Sequence, residues 1–355
     1  MEFIADYGSF LLKVVTLVVA FLVVMGSIVA VASRQKGSNS EGELKIDKLN
    51  DELTDHKEQL EDAVYSETVL KQLDKDRKKE DKIKAKAEKK AEKKSKSAAE
   101  PAGKRVYVID FDGDIKASDV ELMCREITAI LTFAEKDDEI VVRLESGGGM
   151  VHSYGLASSQ LKRIRDKGIH LTICIDRVAA SGGYMMACLA DRVVAAPFAI
   201  VGSIGVVAQL PNFNKLLRKN DVDFELFTAG EYKRTVTMFG ENTDSAREKF
   251  QADLEDTHEL FKNHVKHYRP RVDIEAVATG DIWYGQQALD QKLIDEVGTS
   301  DDYLVAACER ADVYTVRYEY RKTLQEKLGF AIQAGFEKAA TRALTVVQNQ
   351  MQTKG

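Results

Sequence analysis

A serine becomes a nucleophile only when a partner removes its proton and nearby donors stabilise the oxyanion that follows. Three clusters of small residues in this chain each combine serine with glycine: Ser146-Gly147-Gly148-Gly149, Ala179-Ala180-Ser181-Gly182-Gly183 and Gly202-Ser203-Ile204-Gly205. Glycine lets a backbone turn sharply and lie close to a substrate, so its amide N–H can point at developing negative charge. Ser181 is the sharpest of the three. The run after it, SGGYMMACLAD, reads as an apolar helix, which places the hydroxyl at a helix N-terminus where an anion is favoured. From local sequence alone, a serine acting as the N-cap of that helix accounts for the same pattern equally well.

The proton acceptor is harder to find. The six histidines are His56, His152, His170, His258, His264 and His267. None follows Ser181 closely, and the last three fall in the amphipathic stretch from Ala246 to Tyr268, where a polar helix face explains them. A lysine can serve if its pKa falls from about 10.4 towards roughly 7 to 8. Lys233, in TAGEYKRTVTMFGENT, lies in a polar loop between DFELFTA, which reads as a strand, and the next helix. Lys215, Lys219 and Arg234 are neighbouring alternatives, and taken alone Lys233 reads as a surface lysine. The cysteines, Cys124, Cys174, Cys188 and Cys308, show no CxxC or CxH spacing. They read as small buried side chains, so neither a metal, a cofactor nor a disulfide framework is expected.

Positioning these residues requires a scaffold. Arg105–Phe111 (RVYVIDF), Glu139–Ser146 (EIVVRLES) and His170–Asp176 (HLTICID) read as buried strands, with helical patterns at Ser118–Phe133 and Ser153–Lys167 between them. Such alternation implies an α/β architecture with parallel strands joined by crossover helices, and each small-residue cluster then falls at a strand end, where α/β sheets place ligands.

Ahead of this body, Val14–Ala32 runs without a charge for nearly the length a membrane helix needs, and Glu2 and Asp6 precede it instead of the basic region of a cleaved leader. Arg34, Lys36 and the basic tract that follows favour a cytoplasmic location for the bulk of the chain. Ile46, Leu49, Leu53 and Leu60 suggest a short amphipathic or coiled-coil helix between Glu43 and Leu73 that could pack protomers together. Arg77–Ser97, with KAEKKAEKKSKS, has almost no large apolar residue and reads as a solvated helix or linker, with anionic lipid headgroups as an alternative partner. The basic residues are concentrated in this arm while the region after Arg105 is acidic, which argues against nucleic-acid binding.

Five motifs in order resemble the signal peptide peptidase A and SohB family, relatives of the Clp proteases, over roughly Arg105 to Gly298. Glu145–Gly149 (ESGGG) stands where that family has an NSPGG-like turn, with Glu145 and Gly147 replacing the usual Asn and Pro. Ala179–Ala187 matches the nucleophile segment with Ser181 in the serine position, Gly202–Val206 matches GSIGV, and Gly230–Lys233 matches the lysine segment. Gly280–Gly298 matches the later G-x-x-W/Y-G-x-x-A-L signature. The resemblance implies a ClpP/crotonase-like fold of stacked parallel sheets and a Ser-Lys dyad, because Val206 occupies the neighbourhood of the Clp histidine. Ser181 would be the nucleophile, Lys233 the general base and acid, Gly148 or Gly149 together with Gly182 the oxyanion donors, and Ser203 the residue orienting the lysine. It also implies a homo-oligomer in which Lys233 can reach the serine of a neighbouring chain.

The expected organisation is a transmembrane anchor (1–36), a charged helical arm (37–103), a peptidase domain (104–312) and a C-terminal strand and helix extension (313–355). The expected function is a serine endopeptidase held by a single span in a bacterial inner membrane, in contact with its lipids. Its substrates would be apolar peptides such as signal-peptide or membrane-protein fragments. The catalytic body is expected on the cytoplasmic side, although the family includes periplasmic catalytic domains. The rivals are a catalytically inactive membrane scaffold on the same fold and an acyl-CoA-handling crotonase, which would need neither the dyad nor an anchor.

Overall fold

Strands covered on both faces carry continuous apolar runs, because successive side chains point to opposite sides and each side must be buried. The computed structural model, which describes Thr16, residues 42–94 and residues 103–320, builds its centre from such runs. In chain order the elements begin with β1 (Gly42–Lys48), α1 (Leu49–Val64), α2 (Glu67–Lys94), β2 (Arg105–Gly113), α3 (Val120–Phe133), β3 (Glu139–Ser146) and α4 (Val151–Asp166). There follow β4 (His170–Ile175), β5 (Val178–Ala180), α5 (Gly182–Ala187), β6 (Arg192–Ala195), β7 (Ile200–Gly202), α6 (Asn214–Lys219) and α7 (Asp244–Tyr268). The last elements are α8 (Ile274–Val277), β8 (Ile282–Tyr284), α9 (Gly285–Asp290), β9 (Glu296–Val297), α10 (Ser300–Cys308) and β10 (Asp312–Tyr320). Leu44–Tyr318 form one compact unit.

The main sheet runs β1-β10-β2-β3-β4-β6-β9, and β10, β2, β3, β4, β6 and β9 pair in parallel. Along β3 the sheet forks. Glu139–Arg143 pair with β4, whereas Ser146 pairs with Ala179 of β5, which continues through β7 to an antiparallel β8. One face of the central strands, with Ile109, Phe111, Ile140, Val142 and Leu144, packs on α3, α4 and α5 through Met123, Ile127, Tyr154, Leu161 and Tyr184. The other, with Val106, Val108, Val141, Cys174 and Val194, is covered by Leu304 and Ala307 of α10 and by Leu49.

The starts of the strands are held by buried charge. Arg105 Nε and Nη2 donate to both carboxylate oxygens of Asp138 at 3.0 and 2.8 Å, a planar two-point pair that fixes β2 beside the start of β3. Glu139 accepts from Thr172 Oγ1 at 2.8 Å and from the Tyr303 hydroxyl. Cys174 and Cys188 are buried free thiols whose pKa values burial raises to about 12, consistent with the packing role expected of them.

Two local expectations differ from what is observed. The segment from Glu43 does not begin as a helix: Leu44 and Ile46 alternate with polar residues, and this period of two makes an edge strand on β10. Asn50 then clips the arm to the body, its Nδ2 donating to Cys308 O and Ala311 O while its Oδ1 accepts from Val313 N. The second difference is DFELFTA, which is irregular here; among the described residues no strand lies beside it to complete a ladder. The apolar run Val14–Ala32, Thr16 apart, and the helix-like stretch Leu324–Gln350 lie outside the described residues. No helix among the described residues is long and apolar enough to cross a membrane.

Glu126 on α3 is buried beneath the end of β10. Its Oε1 accepts from Tyr318 N at 2.7 Å, while its Oε2 has no partner among the described residues. Burial, only partly offset by that bond, raises its pKa to about 7. A carboxyl that holds its proton more tightly in the folded state contributes stability that is complete below its unfolded pKa and lost as pH rises through the folded value. Urea unfolding is therefore expected to show stability falling between about pH 4.5 and 7, with Glu126→Gln removing that part of the dependence.

Candidate active site

The fork in the sheet brings three strand ends together. Ser146 ends β3 and pairs with Ala179, while Ala180 at the end of β5 pairs with Gly202 at the end of β7. The residues that follow each of these ends are the three small-residue clusters of the sequence.

Ser181 occupies the turn from β5 into α5 with φ 52° and ψ −117°. A non-glycine residue in this region costs about 1–3 kcal/mol and persists only where its surroundings enforce it. Two backbone bonds do so: Ser181 N donates to Gly202 O at 2.8 Å, and Met185 N donates to Ser181 O at 2.9 Å. Its side chain makes no capping bond, so the reading of Ser181 as an ordinary N-cap fails. The turn presents the residue to a cavity of about 260 Å³.

Glycines close around this turn because nothing larger fits. A Cβ on Gly148, which has φ 87°, would lie 2.7 Å from Gly182 N and 2.8 Å from the Ser181 Cβ; one on Gly182 would lie 2.4 Å from the Tyr154 ring. Gly148 N–H donates to Ser146 Oγ at 3.0 Å. Among the described residues no acceptor meets the N–H of Gly149 or of Gly182, and both residues line the cavity beside Ser181. The arrangement can therefore offer two amides to an oxyanion next to a serine hydroxyl.

Most of the remaining wall is apolar, with Val151, Met185, Val206, Val207, Leu260 and Phe261, and Tyr154 also reaches it. One face of α7 contributes Thr257, Leu260, Phe261 and His264, spaced as neighbours on a helix. His264 was placed by sequence on a polar face; here it is half-buried on the cavity wall. Its Nε2 lies 3.0 Å from Met185 O and 3.3 Å from Ser158 Oγ. A carbonyl only accepts, so Nε2 carries the proton. Burial lowers the pKa of the ring and so favours its neutral form, against the opposing pull of the Met185 carbonyl. The helical period in Ala246–Tyr268 held the signal for this face, but nothing in the sequence said that the cavity lay against it.

Lys233 is not brought to this cluster within the chain. It lies in the exposed loop between α6 and α7, its N–H donating to Gly230 O at 3.2 Å, and it does not line the cavity. Ser203 has φ 51° and its N–H donates to Asp281 O at 2.7 Å, which fixes the turn after Gly202. No group of three or more His, Cys, Asp or Glu side chains suited to a metal occurs among the described residues.

A strained, uncapped serine at a strand end, flanked by two uncommitted amides and an apolar cleft, is a candidate site for serine hydrolase chemistry. Residues 2–161 match Peptidase family S49 N-terminal and residues 163–314 match Peptidase family S49. A Probable protease SohB of Haemophilus influenzae is 48% identical over 328 residues, covering 92% of each chain. A Probable protease SohB of Buchnera aphidicola subsp. Schlechtendalia chinensis is 48% identical over 309 residues, covering 86% of this chain and all of that one. Among solved structures, a 1510-N membrane-bound stomatin-specific protease in complex with a substrate peptide is 15% identical and aligns with a TM-score of 0.39 over 65% of this chain and 98% of that one. The chain belongs to peptidase family S49, and it is a serine-type endopeptidase.

The glycine cradle gives a paired prediction. Gly147→Ala, at a position with nothing within 4 Å of the new methyl group, is expected to unfold in urea like the wild type and to retain peptide hydrolysis. Gly148→Ala is expected to lose about 1 kcal/mol or more of stability through its backbone conformation, and most of its hydrolysis through displacement of Ser181.

Proposed function

We propose that the protein is a membrane-anchored endopeptidase that hydrolyses apolar peptides with Ser181 as nucleophile and Lys233 as general base. The observation that carries the nucleophile is the conformation of Ser181: a non-glycine residue held at positive φ with an uncapped side chain, facing an apolar cleft beside Gly149 and Gly182. In the reaction neutral Lys233 takes the hydroxyl proton as Ser181 Oγ bonds to the peptide carbonyl carbon. The carbonyl oxygen becomes an oxyanion that the Gly149 and Gly182 amides stabilise. The C–N bond then breaks as the lysine gives its proton to the leaving amine, and water, deprotonated in turn by the lysine, hydrolyses the acyl-enzyme ester. Gly148 is less suited as a donor because its N–H is already given to Ser146. Ser203 is proposed to orient the lysine.

The exposed position of Lys233 supports a dyad formed between neighbouring chains of a homo-oligomer. The loop that carries it exposes Val222, Phe224, Phe227, Tyr232 and Phe239, more apolar surface than an isolated chain usually leaves to water. The uncharged apolar run Val14–Ala32 supports an anchor in a bacterial inner membrane, in contact with its lipids, and the basic residues after it support a body on the cytoplasmic side. The apolar lining of the cleft supports substrates such as signal-peptide or membrane-protein fragments.

With an apolar peptide as substrate, Ser181→Ala and Lys233→Ala are each expected to lower turnover at least about 100-fold, the usual contribution of a positioned base or more, with circular dichroism unchanged. Mixing the two inactive variants under conditions of subunit exchange should restore activity if the dyad spans chains. His264→Gln should keep kcat within about threefold, since a positioned base contributes far more than that. Loss of turnover in His264→Gln with full turnover in Lys233→Ala would reassign the base.

A further inference from the structure

Ser146 and Tyr154 are buried side chains that the proposed dyad does not use, and both stand beside the turn that carries Ser181. Tyr154 Oη lies 2.7 Å from Asp114 O and 2.5 Å from Ser146 Oγ. A carbonyl only accepts, so the Tyr154 hydroxyl donates to Asp114 O and leaves its oxygen able to accept from the serine. Ser146 Oγ, 3.2 Å from Gly113 O as well, accepts in turn from Gly148 N–H. Ser146 has one proton to share between Gly113 O at 3.2 Å and the closer Tyr154 Oη; when it goes to the tyrosine, the bonds run one way, from Gly148 N–H to Ser146, from Ser146 to Tyr154 and from Tyr154 to Asp114. Donors aligned in this sense strengthen one another away from water.

The space around the pair is tightly filled on the Gly113 and Gly183 sides, while Tyr154 reaches the cavity on another. A Cβ on Gly113 would fall 2.6 Å from both hydroxyl oxygens, and one on Gly183 would fall 2.5 Å from Ser146 O. The Tyr154 ring lies against Gly182, and Gly148 lies against Ser181. The chain of hydroxyls thus ties the Gly148 peptide to the turn at Asp114, while the Tyr154 ring between them packs against Gly182. It holds the Gly148 peptide in place, and through it the direction of the Gly149 N–H.

We propose that Ser146 and Tyr154 are positioning residues for the oxyanion-binding strand, acting on the transition state through Gly148 and Gly149 and not on substrate binding. This rests on Ser181 being the nucleophile. An error of 1 Å in the placement of a reacting group costs on the order of 100-fold, so removing the tyrosine hydroxyl should be visible in rate even though Phe preserves the ring against Gly182.

The test uses the full-length protein, an apolar peptide substrate, a fluorophosphonate that acylates serine, and a peptide boronate that forms a tetrahedral adduct. Tyr154→Phe is expected to lower kcat and the rate of fluorophosphonate labelling about 10-fold or more, in line with displacement of an oxyanion donor. Boronate affinity should fall in parallel, with KM within about twofold, as for an interaction made only in the transition state. Ser146→Ala, which leaves Gly148 N–H without its acceptor, should have the larger effect. The double variant should lose less than the product of the single losses, because both act through one chain of bonds. Should Tyr154→Phe fail to fold, Ser146→Ala carries the same expectation alone. Folded variants that label and turn over within twofold of the wild type, or that change KM with kcat intact, would overturn the positioning role while leaving Ser181 in place. A folded wild type that the fluorophosphonate does not label at Ser181 would overturn both.

Discussion

A strand can pair with only one neighbour on each side at any point along its length, and β3 uses this constraint to build the site. Its first residues pair with β4, and its last, Ser146, pairs with β5. The fork carries β5 and β7 away from the main sheet and leaves the ends of three parallel strands side by side. Parallel ends point their following turns the same way, so three turns that are far apart in sequence converge on one place. The positive φ of Ser181 depends on this convergence, since one of the two bonds that hold it comes from Gly202 at the end of β7.

The two ends of the strands do different work. At their starts Arg105 with Asp138, and Glu139 with Thr172, Tyr303 and Arg310, satisfy buried charge with several hydrogen bonds each. Such groups are costly to leave half-paired, and so resist change in the local geometry. At their ends glycine and serine dominate, side chains are small, and backbone amides are left uncommitted. A rigid edge and an open edge on the same short strands place strain where the surrounding packing can bear it.

Much of this was legible in the amino-acid order. EIVVRLES is the strand Glu139–Ser146 to the residue, and the other central runs differ from their strands only at their ends, because an apolar stretch bounded by turn residues has few other solutions. Small residues at strand ends pointed to Ser181, whereas its backbone conformation did not follow from them, since the torsion is set by β7 and α5 together. His264 was visible as a point on an amphipathic helix, but the cavity it faces is created by elements more than fifty residues away. The strand β1 was hidden by the helical spacing of Leu49 and Leu53, which lie just beyond it. DFELFTA shows the opposite failure: its residues suit a strand, but a strand is a property of a pair, and within the described residues the partner is missing.

The position of β10 between β1 and β2 also sets the order in which the molecule can be put together. β2 and β10 pair from Arg105 against Asp312, so this rung closes a loop of most of the peptidase body. Non-local pairings of this kind form late, because the entropy of closing the loop must be met before the contact is gained. β1 is made first, yet its neighbour in the sheet is β10, and Asn50 beside it bonds to Cys308, Ala311 and Val313. The arm therefore leaves the ribosome early and stays unfastened until nearly the whole body has been synthesised. Docking of the arm reports that the sheet is complete.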